Sequence, residues 1–171
     1  TENDVRANRV FPDAVAYGGW QMDQHTAGGL MAFDQVPSRI LNFKGCYSIP
    51  YRCFYSKEVP NLMMAGRDIS TTKTAFGSTR VMGTCAVGGQ AVGTAAAMAV
   101  HYGLTPRELG RTHMDQLQQT LLKDDCYIPG FANHDPDDLC RRAQVTASSH
   151  KPGREPELVV NGVARRVGEQ E

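Results

Sequence analysis

The chain has 171 residues, of which 41% are hydrophobic, and its 18 basic and 18 acidic side chains leave a formal net charge of zero. This length and apolar content suit a folded domain with its own core and argue against extended disorder. The balanced charge argues against a nucleic-acid-binding protein that depends on a general excess of positive charge.

Five cysteines are spread along the chain without any C-x-x-C spacing, so neither a zinc ribbon nor a thioredoxin-like redox motif is predicted. We expect scattered thiols, or one pair plus spares, and no metal site. Residues 1–13 lack the apolar segment of a signal peptide, so we expect none at this start, and the localisation stays open.

The first third of the chain is rich in turns and aromatic residues. Glycine pairs at residues 18–19 and 28–29 interrupt it repeatedly. Short runs of strand-forming residues nevertheless predict strands at residues 13–17 and 46–49.

The middle of the chain predicts a short buried strand, a loop and a long helix. We expect the strand at residues 62–65, the loop at residues 69–77, and a helix that begins near residues 78–80 and is capped by Gly103. Residues 81–100 carry no charge and have the length of a membrane span. They are mainly Gly, Ala and Thr and contain no Leu, Ile or Phe, so we predict a helix buried in a soluble protein, with no membrane partner.

The last third begins with a strong helix signal and ends with weaker strand signals. Thr105, Pro106 and Glu108 have the spacing of a capping box with proline at the first helical position. The helix either continues through Leu109 or is followed by a second one that begins near His113. After a polar loop at residues 124–138, strands are predicted at residues 143–149 and 157–162.

The strand, loop and helix of the middle segment form the first candidate site. A helix N-terminus presents unpaired N–H groups and a partial positive charge, and it binds anions or electron-rich acceptors. Gly88, Gly89 and Gly93 would let a flat ligand or another backbone approach closely. The alternative is plain packing of a small-residue helix against a sheet, which is common in protein cores.

The second candidate site is the D-x-H sequence of Asp23 and His25, which lies between the two glycine pairs. An imidazole held by a carboxylate is a suitable base for taking a proton from a substrate hydroxyl group. The alternative is a hydrogen-bonded structural histidine. Tyr51 and Arg52 also have two interpretations. They are either polar groups that face the substrate, or an aromatic residue and a cation packed at a boundary between domains.

Several short motifs, in order, resemble the C-terminal flavin-binding segment of FAD-dependent oxidoreductases of the glutathione-reductase-like type. The resemblance covers most of residues 4–140 and is carried by FPDAVAYGGW at residues 11–20, YSIPYR at 47–52, LMMAGR at 62–67, IS at 69–70, AFGSTRVM at 75–82, TC at 84–85 and GQAVGTAAA at 89–97. It implies an α/β fold, the C-terminal portion of a Rossmann-like FAD/NAD(P)-binding fold, with FAD as cofactor and a small-molecule substrate.

The resemblance also implies roles for particular residues. The candidate catalytic residues, from the chemistry given above, are His25, Asp23, Tyr51 and Arg52. The cofactor-binding residues that the resemblance implies are Gly66, Arg67, Asp68, Ser70, Gly77, Ser78, Thr79, Arg80, Val81 and Gly89. Many proteins of this type have an acidic residue directly after the glycine, where Arg67 stands here. They often have histidine where Lys73 stands, which indicates either altered substrate chemistry or a solvated lysine.

The sequence contains no G-x-G-x-x-G motif, which the ADP-binding half of such a protein needs. We therefore expect a C-terminal fragment with the end of a substrate-facing region at residues 1–60 and the C-terminal part of an FAD-binding domain at residues 61–140. Residues 141–171 would be a linker and the first strands of a β-sandwich module, which they resemble in a galactose-binding-like form.

The predicted function is hydride transfer from a small organic substrate, a carbohydrate or other alcohol, to flavin. We expect the fragment to be inactive on its own. The alternative is a non-catalytic packing or interaction fragment that does not bind flavin by itself. A nucleic-acid partner is not expected, because the net charge is zero and no basic patch is present. The oligomeric state is open.

Overall fold

A computed structural model describes residues 1–163, and residues 164–171, the end of the predicted tail module, lie outside the described residues. The α-helices of this part are α1 (Glu2–Arg6), α2 (Lys73–Thr79), α3 (Met82–Tyr102), α4 (Pro106–Thr112) and α5 (Met114–Lys123). The strands are β1 (Ala14–Gly18), β2 (Met22–His25), β3 (Ser38–Leu41) and β4 (Tyr47–Pro50). Short 3₁₀ helices lie at Gly29–Met31, Tyr51–Cys53, Leu139–Arg142 and Pro156–Val160.

The strands of the described residues pair in two antiparallel ribbons. Strand β1 pairs with β4, with Ala16 opposite Ile49, and all of β4 is buried. Strand β2 pairs with β3, with His25 opposite Ser38. The predicted strands at residues 13–17 and 46–49 are confirmed as β1 and β4. The β2–β3 ribbon was not predicted, because its residues lie among the glycine turns that mark the region as irregular.

Helix α3 packs one face against the β1–β4 ribbon. That face consists of small residues at helical spacing: Thr84, Gly88, Ala91, Ala95 and Ala99. A Cβ atom on Gly88 would lie 2.8 Å from the Phe54 ring, so glycine allows this fully buried ring to reach the helix.

The long helix is confirmed, but the prediction that it is buried is right for one face only. Met82 and Val100, on the other face, are 89% and 84% exposed. The physical reason is that the described residues place elements on one side of α3 alone. No helix in residues 1–163 is both long enough and apolar enough to cross a membrane.

The expected start of this helix is wrong by a few residues. Residues 73–79 form the separate helix α2, where a loop was predicted, and α3 begins only at Met82. The two helices are divided at Val81, whose backbone is extended (φ −73°, ψ 148°). The β-branched residues Thr79 and Val81 favour such a break because they are weaker helix formers than the Ala-rich sequence that follows.

The predicted buried strand at residues 62–65 does not form. In the described residues, Met63 makes a single isolated bridge to Tyr55, and Leu62 is 43% exposed. A buried parallel strand needs a neighbouring strand on each side, and residues 1–163 provide none there.

The helices that follow α3 agree closely with the sequence. Gly103 adopts the left-handed conformation (φ 65°) that ends α3, as predicted. Thr105 and Glu108 form the predicted capping box of α4. Both alternatives for the next segment are realised, since α4 includes Leu109 and α5 begins directly after His113.

The strands predicted in the tail are wrong for the described residues. Residues 143–149 have no regular structure, and Pro156–Val160 is a 3₁₀ helix where the second strand was expected to begin. Pro156 at the first helical position favours a helical turn, and no strand of the described residues pairs with this segment.

Candidate functional site

Helix α2 and strand β2 form the two walls of a cavity of about 290 Å³, which we call the His25 cavity. Lys73, Phe76, Gly77 and Arg80 follow the i, i+3, i+4, i+7 spacing that places residues on one helix face. The residues that line the cavity are Asp23, Gln24, His25, Arg67, Lys73, Phe76, Gly77 and Arg80. The sequence therefore builds this site from one helix face, one strand and Arg67.

Gly77 allows the two walls to come together. A Cβ atom at this position would lie 2.7 Å from the backbone oxygen of Asp23 and 2.7 Å from Nε2 of Gln24. The Gln24 amide also donates a hydrogen bond to the backbone oxygen of Thr74 on α2, at 3.1 Å. Close backbone approach and this hydrogen bond together hold the strand of the D-x-H sequence against the helix.

Asp23 is the centre of a three-residue cluster with His25 and Arg80. Two residues apart on β2, Asp23 and His25 lie on the same side of the strand. Oδ2 of Asp23 lies 3.0 Å from Nε2 of His25 and accepts a hydrogen bond from Nη2 of Arg80, also at 3.0 Å. The side chain of Asp23 is 18% exposed, while that of His25 is 66% exposed and faces solvent at the mouth of the cavity.

The protonation of His25 decides which neighbour its Nε2 atom binds. A protonated Nε2 donates to Asp23, whereas an unprotonated Nε2 accepts from Nη2 of Arg80, which lies 2.9 Å away. The carboxylate of Asp23 accepts from Arg80 in both cases, and from His25 only when Nε2 carries the proton. It also has a buried oxygen, Oδ1, with no hydrogen-bond partner in the described residues.

Two further cations, Arg67 and Lys73, face the same cavity. The guanidinium of Arg67 lies 5.1 Å from the centre of the Phe76 ring, which fixes it by a cation–π contact. Neither cation forms an ion pair with an acidic side chain among residues 1–163. The cavity therefore carries positive charge in excess of its single carboxylate.

A second, larger cavity of about 470 Å³ contains other predicted site residues. Arg52, Ser70 and Thr79 line it. Arg52 is bound to Asp13 and stacks on the Phe11 ring, 4.8 Å from its centre. The buried hydroxyl of Thr79 has no partner in the described part of the chain.

The four predicted catalytic residues are therefore not brought together. Asp23 and His25 share the His25 cavity, Arg52 lines the second cavity, and Tyr51 is 1% exposed within the core. The Tyr51 ring packs on Tyr55 and against Gly110, and burial raises the pKa of its hydroxyl. This position makes Tyr51 a packing residue.

Ser78 is also buried, although it was predicted to contact the cofactor. Its hydroxyl donates to the backbone oxygen of Trp20, so the hydroxyl of Tyr47 donates to Ser78 at 2.6 Å. Burial raises the pKa of Tyr47 to about 12, an effect that the Ser78 hydrogen bond partly offsets. The pair joins α2 to β4.

The other predicted cofactor-binding residues lie along the chain on either side of α2. Arg67, Gly77 and Arg80 line the His25 cavity, whereas Gly66 adopts a positive φ of 78° and Asp68 is exposed. Val81 precedes the first residue of α3, and Gly89 lies about two turns into that helix, partly buried. Val81 makes no side-chain cap, and the first turn of α3 contains no acidic residue. The unpaired N–H groups of this helix therefore begin at Met82, not at residues 78–80.

Sequence reasoning missed Gln24 and Phe76 and did not place Lys73 at a site. A sequence signal for this site exists. Lys73, Phe76, Gly77 and Arg80 have the spacing of one helix face, and Thr72, whose backbone is extended, directly precedes α2. A loop has no common face, so the loop expected for this segment predicted no shared surface for these residues.

Comparison with known proteins agrees with the flavoprotein motifs. Residues 1–121, the greater part of the chain, match the family described as FAD dependent oxidoreductase. Comparison with curated proteins and with solved structures gives no match. The mixed helix and strand content is that of an α/β protein. The chain thus belongs to the FAD dependent oxidoreductase family and is an oxidoreductase whose cofactor is FAD.

Proposed function

We propose that this chain supplies the C-terminal portion of a Rossmann-like FAD-binding fold and takes part in oxidising the alcohol carbon of a small organic substrate. The observation that supports this proposal is the cluster of Asp23, His25 and Arg80 in a cavity beside the start of α3. Bound FAD supplies the hydride acceptor. The residues of the chain hold the cofactor, orient the substrate and accept its proton.

The donor groups around the cavity fit an electron-rich cofactor. The N-terminus of α3 has no side-chain cap and no acidic residue in its first turn, and a Cβ atom on Gly83 would meet nothing within 4 Å. Backbone N–H groups and a cation such as Arg80 stabilise the negative charge that develops on a reduced flavin. In this proposal, Arg80 and the first turn of α3 would hold the flavin, and Arg67 faces the same cavity as Arg80.

His25 is the proposed base. Donation from its Nε2 to Asp23 leaves the neutral Nδ1 as the proton acceptor, and Nδ1 has no partner in residues 1–163. Asp23 then orients the ring and stabilises the imidazolium that forms when the substrate hydroxyl gives up its proton. Arg80 holds Asp23 in position from the other side of the cavity.

Substitution of His25 tests this role. In the FAD-loaded protein, we expect His25→Ala to slow reduction of the flavin by substrate about 100-fold, because positioned bases contribute at least this much. The content of bound flavin should stay unchanged, as measured by absorbance. Rapid-mixing kinetics of flavin reduction provide the measurement.

His134→Ala is the matched control. His134 also pairs with a carboxylate, at 3.2 Å from Asp115, but this pair lies outside the His25 cavity. The control should reduce its flavin at the original rate. Equal rates for His25→Ala and the original protein would remove His25 from the mechanism.

One experiment tests both whether the chain is part of a longer protein and whether that protein binds flavin. The chain is expressed together with its upstream coding region. A glycine-rich dinucleotide motif upstream and a yellow product that releases FAD on denaturation are expected. A folded, colourless product would favour the alternative, a packing fragment that binds no flavin by itself.

A further inference from the structure

The His25 cavity has more cationic than acidic groups. Arg67, Lys73 and Arg80 are positively charged, and Asp23 is the single carboxylate among the lining residues. Arg80 is already bound to Asp23 at 3.0 Å, so one positive charge is balanced within the cavity. Two positive charges remain in excess there even when His25 is neutral.

Arg67 and Lys73 are the two cations without a carboxylate partner. Within the described residues, Arg67 is fixed by the Phe76 ring at 5.1 Å, and no ion pair is formed by Lys73. Asp68 follows Arg67 in the chain, but it does not line the cavity and pairs with neither cation. Arg67 and Lys73 are both exposed at the open side of the cavity. Unpaired cations in such a position attract an anion from solution.

Lys73 lines the same cavity as His25, the proposed base, so the excess positive charge lies in the cavity that contains the base. Lys73 is the first residue of α2, and Arg80 follows its last residue, about two turns away on the same side. Strand β2 carries His25 on the opposite wall. A ligand that bridges the two walls would meet Lys73 and His25 together. The cavity volume of about 290 Å³ is enough for a small organic acid.

We propose that the substrate is an anion whose carboxylate binds Lys73 and Arg67, with the carbon to be oxidised beside His25. A small hydroxy acid has this chemistry, because its carboxylate and hydroxyl group lie on neighbouring carbon atoms. The assignment of the anion to the substrate rests on the proposed function. Binding of an anion in the cavity rests on the charge distribution alone.

The test uses lactate and its neutral analogue lactamide as probes for the 171-residue chain. NMR signals of the His25 ring report on binding without any turnover. We expect lactate to shift these signals saturably and to bind at least about ten times more tightly than lactamide, because charge-assisted hydrogen bonds are stronger than neutral ones. Equal binding of the two probes would overturn the proposal.

Lys73 is then replaced. Lys73→Gln should weaken lactate binding about three- to tenfold, the effect of losing one partly solvated ionic contact, and Lys73→Arg should restore it. The matched control is Lys57→Gln, which removes a lysine that is 89% exposed and lies outside the cavity. Lactate binding that is unchanged in Lys73→Gln would contradict the proposal.

A salt titration of the original chain avoids any dependence on how the variants fold. Raising the salt concentration from about 20 mM to about 200 mM should weaken lactate binding and leave lactamide binding unchanged. A lactate affinity that does not respond to salt would also count against the proposal.

Addition of FAD distinguishes a substrate anion from the cofactor as the source of negative charge. We expect lactate to stay bound when FAD is present, and the FAD affinity to be the same in Lys73→Gln as in the original chain. Displacement of lactate by FAD, with weaker FAD binding in Lys73→Gln, would assign the cations to the cofactor. In the FAD-loaded protein expressed with its upstream coding region, lactate binding without flavin reduction by any hydroxy acid would instead reject the proposed function and keep the anion site.

Discussion

Gly77 is the residue at which helix α2 and strand β2 come closest. The backbone oxygen of Asp23 and the amide of Gln24 occupy the space that a side chain would need. Since a backbone atom cannot move aside as the end of a flexible side chain can, even one methyl group must separate the helix from the strand. Such a shift would also disturb Asp23, the centre of the cluster with His25.

Substitution of this glycine provides the prediction at the residue scale. Gly77→Ala should lower the free energy of unfolding by about 1–3 kcal/mol, the usual cost of overpacking. The matched control is Gly93→Ala on α3, where a Cβ atom would meet nothing within 4 Å. This control should raise the free energy of unfolding by up to about 1 kcal/mol, because alanine is the better helix former. Urea denaturation measures both, and equal stability of the two variants would contradict the prediction.

At the element scale, α4 shows how local sequence alone can determine where a helix begins. The backbone N–H of Thr105 donates to Oε2 of Glu108 at 2.9 Å, and the hydroxyl of Thr105 accepts from the N–H of Glu108 at 3.3 Å. Thr105→Ala removes the cap and should lower the free energy of unfolding by about 1 kcal/mol. Thermal unfolding measures it, and Thr112→Ala, at the last residue of the same helix, should cost less.

The same cap predicts a dependence on pH. The backbone N–H of Thr105, together with its hydroxyl group, holds the pKa of Glu108 below its ordinary value of 4.5. The lowered pKa means that the ionised carboxylate stabilises the folded state above pH 4.5 and that this contribution is lost as the pH falls through the folded pKa. Glu108→Gln lacks the ionisation, so its stability deficit should be larger near neutral pH than near pH 3, as urea denaturation at each pH would show. A deficit that does not change with pH would contradict this.

At the scale of the whole molecule, Gln118 joins helix α5 to the segment that leads into strand β1. It is 4% exposed on α5, and its amide donates to the backbone oxygens of Pro12 and Ala14, each at 2.9 Å. Gln118→Leu leaves these oxygens without this donor and should cost about 1–3 kcal/mol of unfolding free energy. Gln116→Leu, at an exposed position of the same helix, is the control. It removes one exposed hydrogen bond to the Tyr102 hydroxyl and should lower the free energy of unfolding by less than about 1 kcal/mol. Chemical denaturation would detect the difference.

Elements that depend on neighbouring residues were predicted well. The cap of α4 and the left-handed Gly103 need only the residues beside them, and both are present in the structure. The strand at residues 62–65 and the tail strands depend on a partner strand elsewhere, and they do not form in residues 1–163. The separate helix α2 was missed because its stability depends on packing against β2 through Gly77, a contact that a sequence pattern does not show.

The candidate site was predicted in part for the same reason. Asp23 and His25 could be paired from sequence because residues two apart on a strand share one side. Arg80 is far from Asp23 and His25 in the chain. It reaches them only because α2 packs on β2. Tyr51 resembled a site residue by motif, yet its ring is enclosed by Tyr55 and Gly110 in the core.

The sequence by itself determined the family, the FAD cofactor, the end of α3 and the start of α4, because motif order and capping chemistry are properties of consecutive residues. Only the tertiary structure decided which charged groups share a cavity and which apolar residues face solvent. Leu30, Met31 and Phe33, between β2 and β3, are at least 83% exposed because no element of residues 1–163 packs over them. The burial of a side chain and the charge of a cavity both depend on which distant segments of the chain pack together. Those contacts exist only in the folded chain.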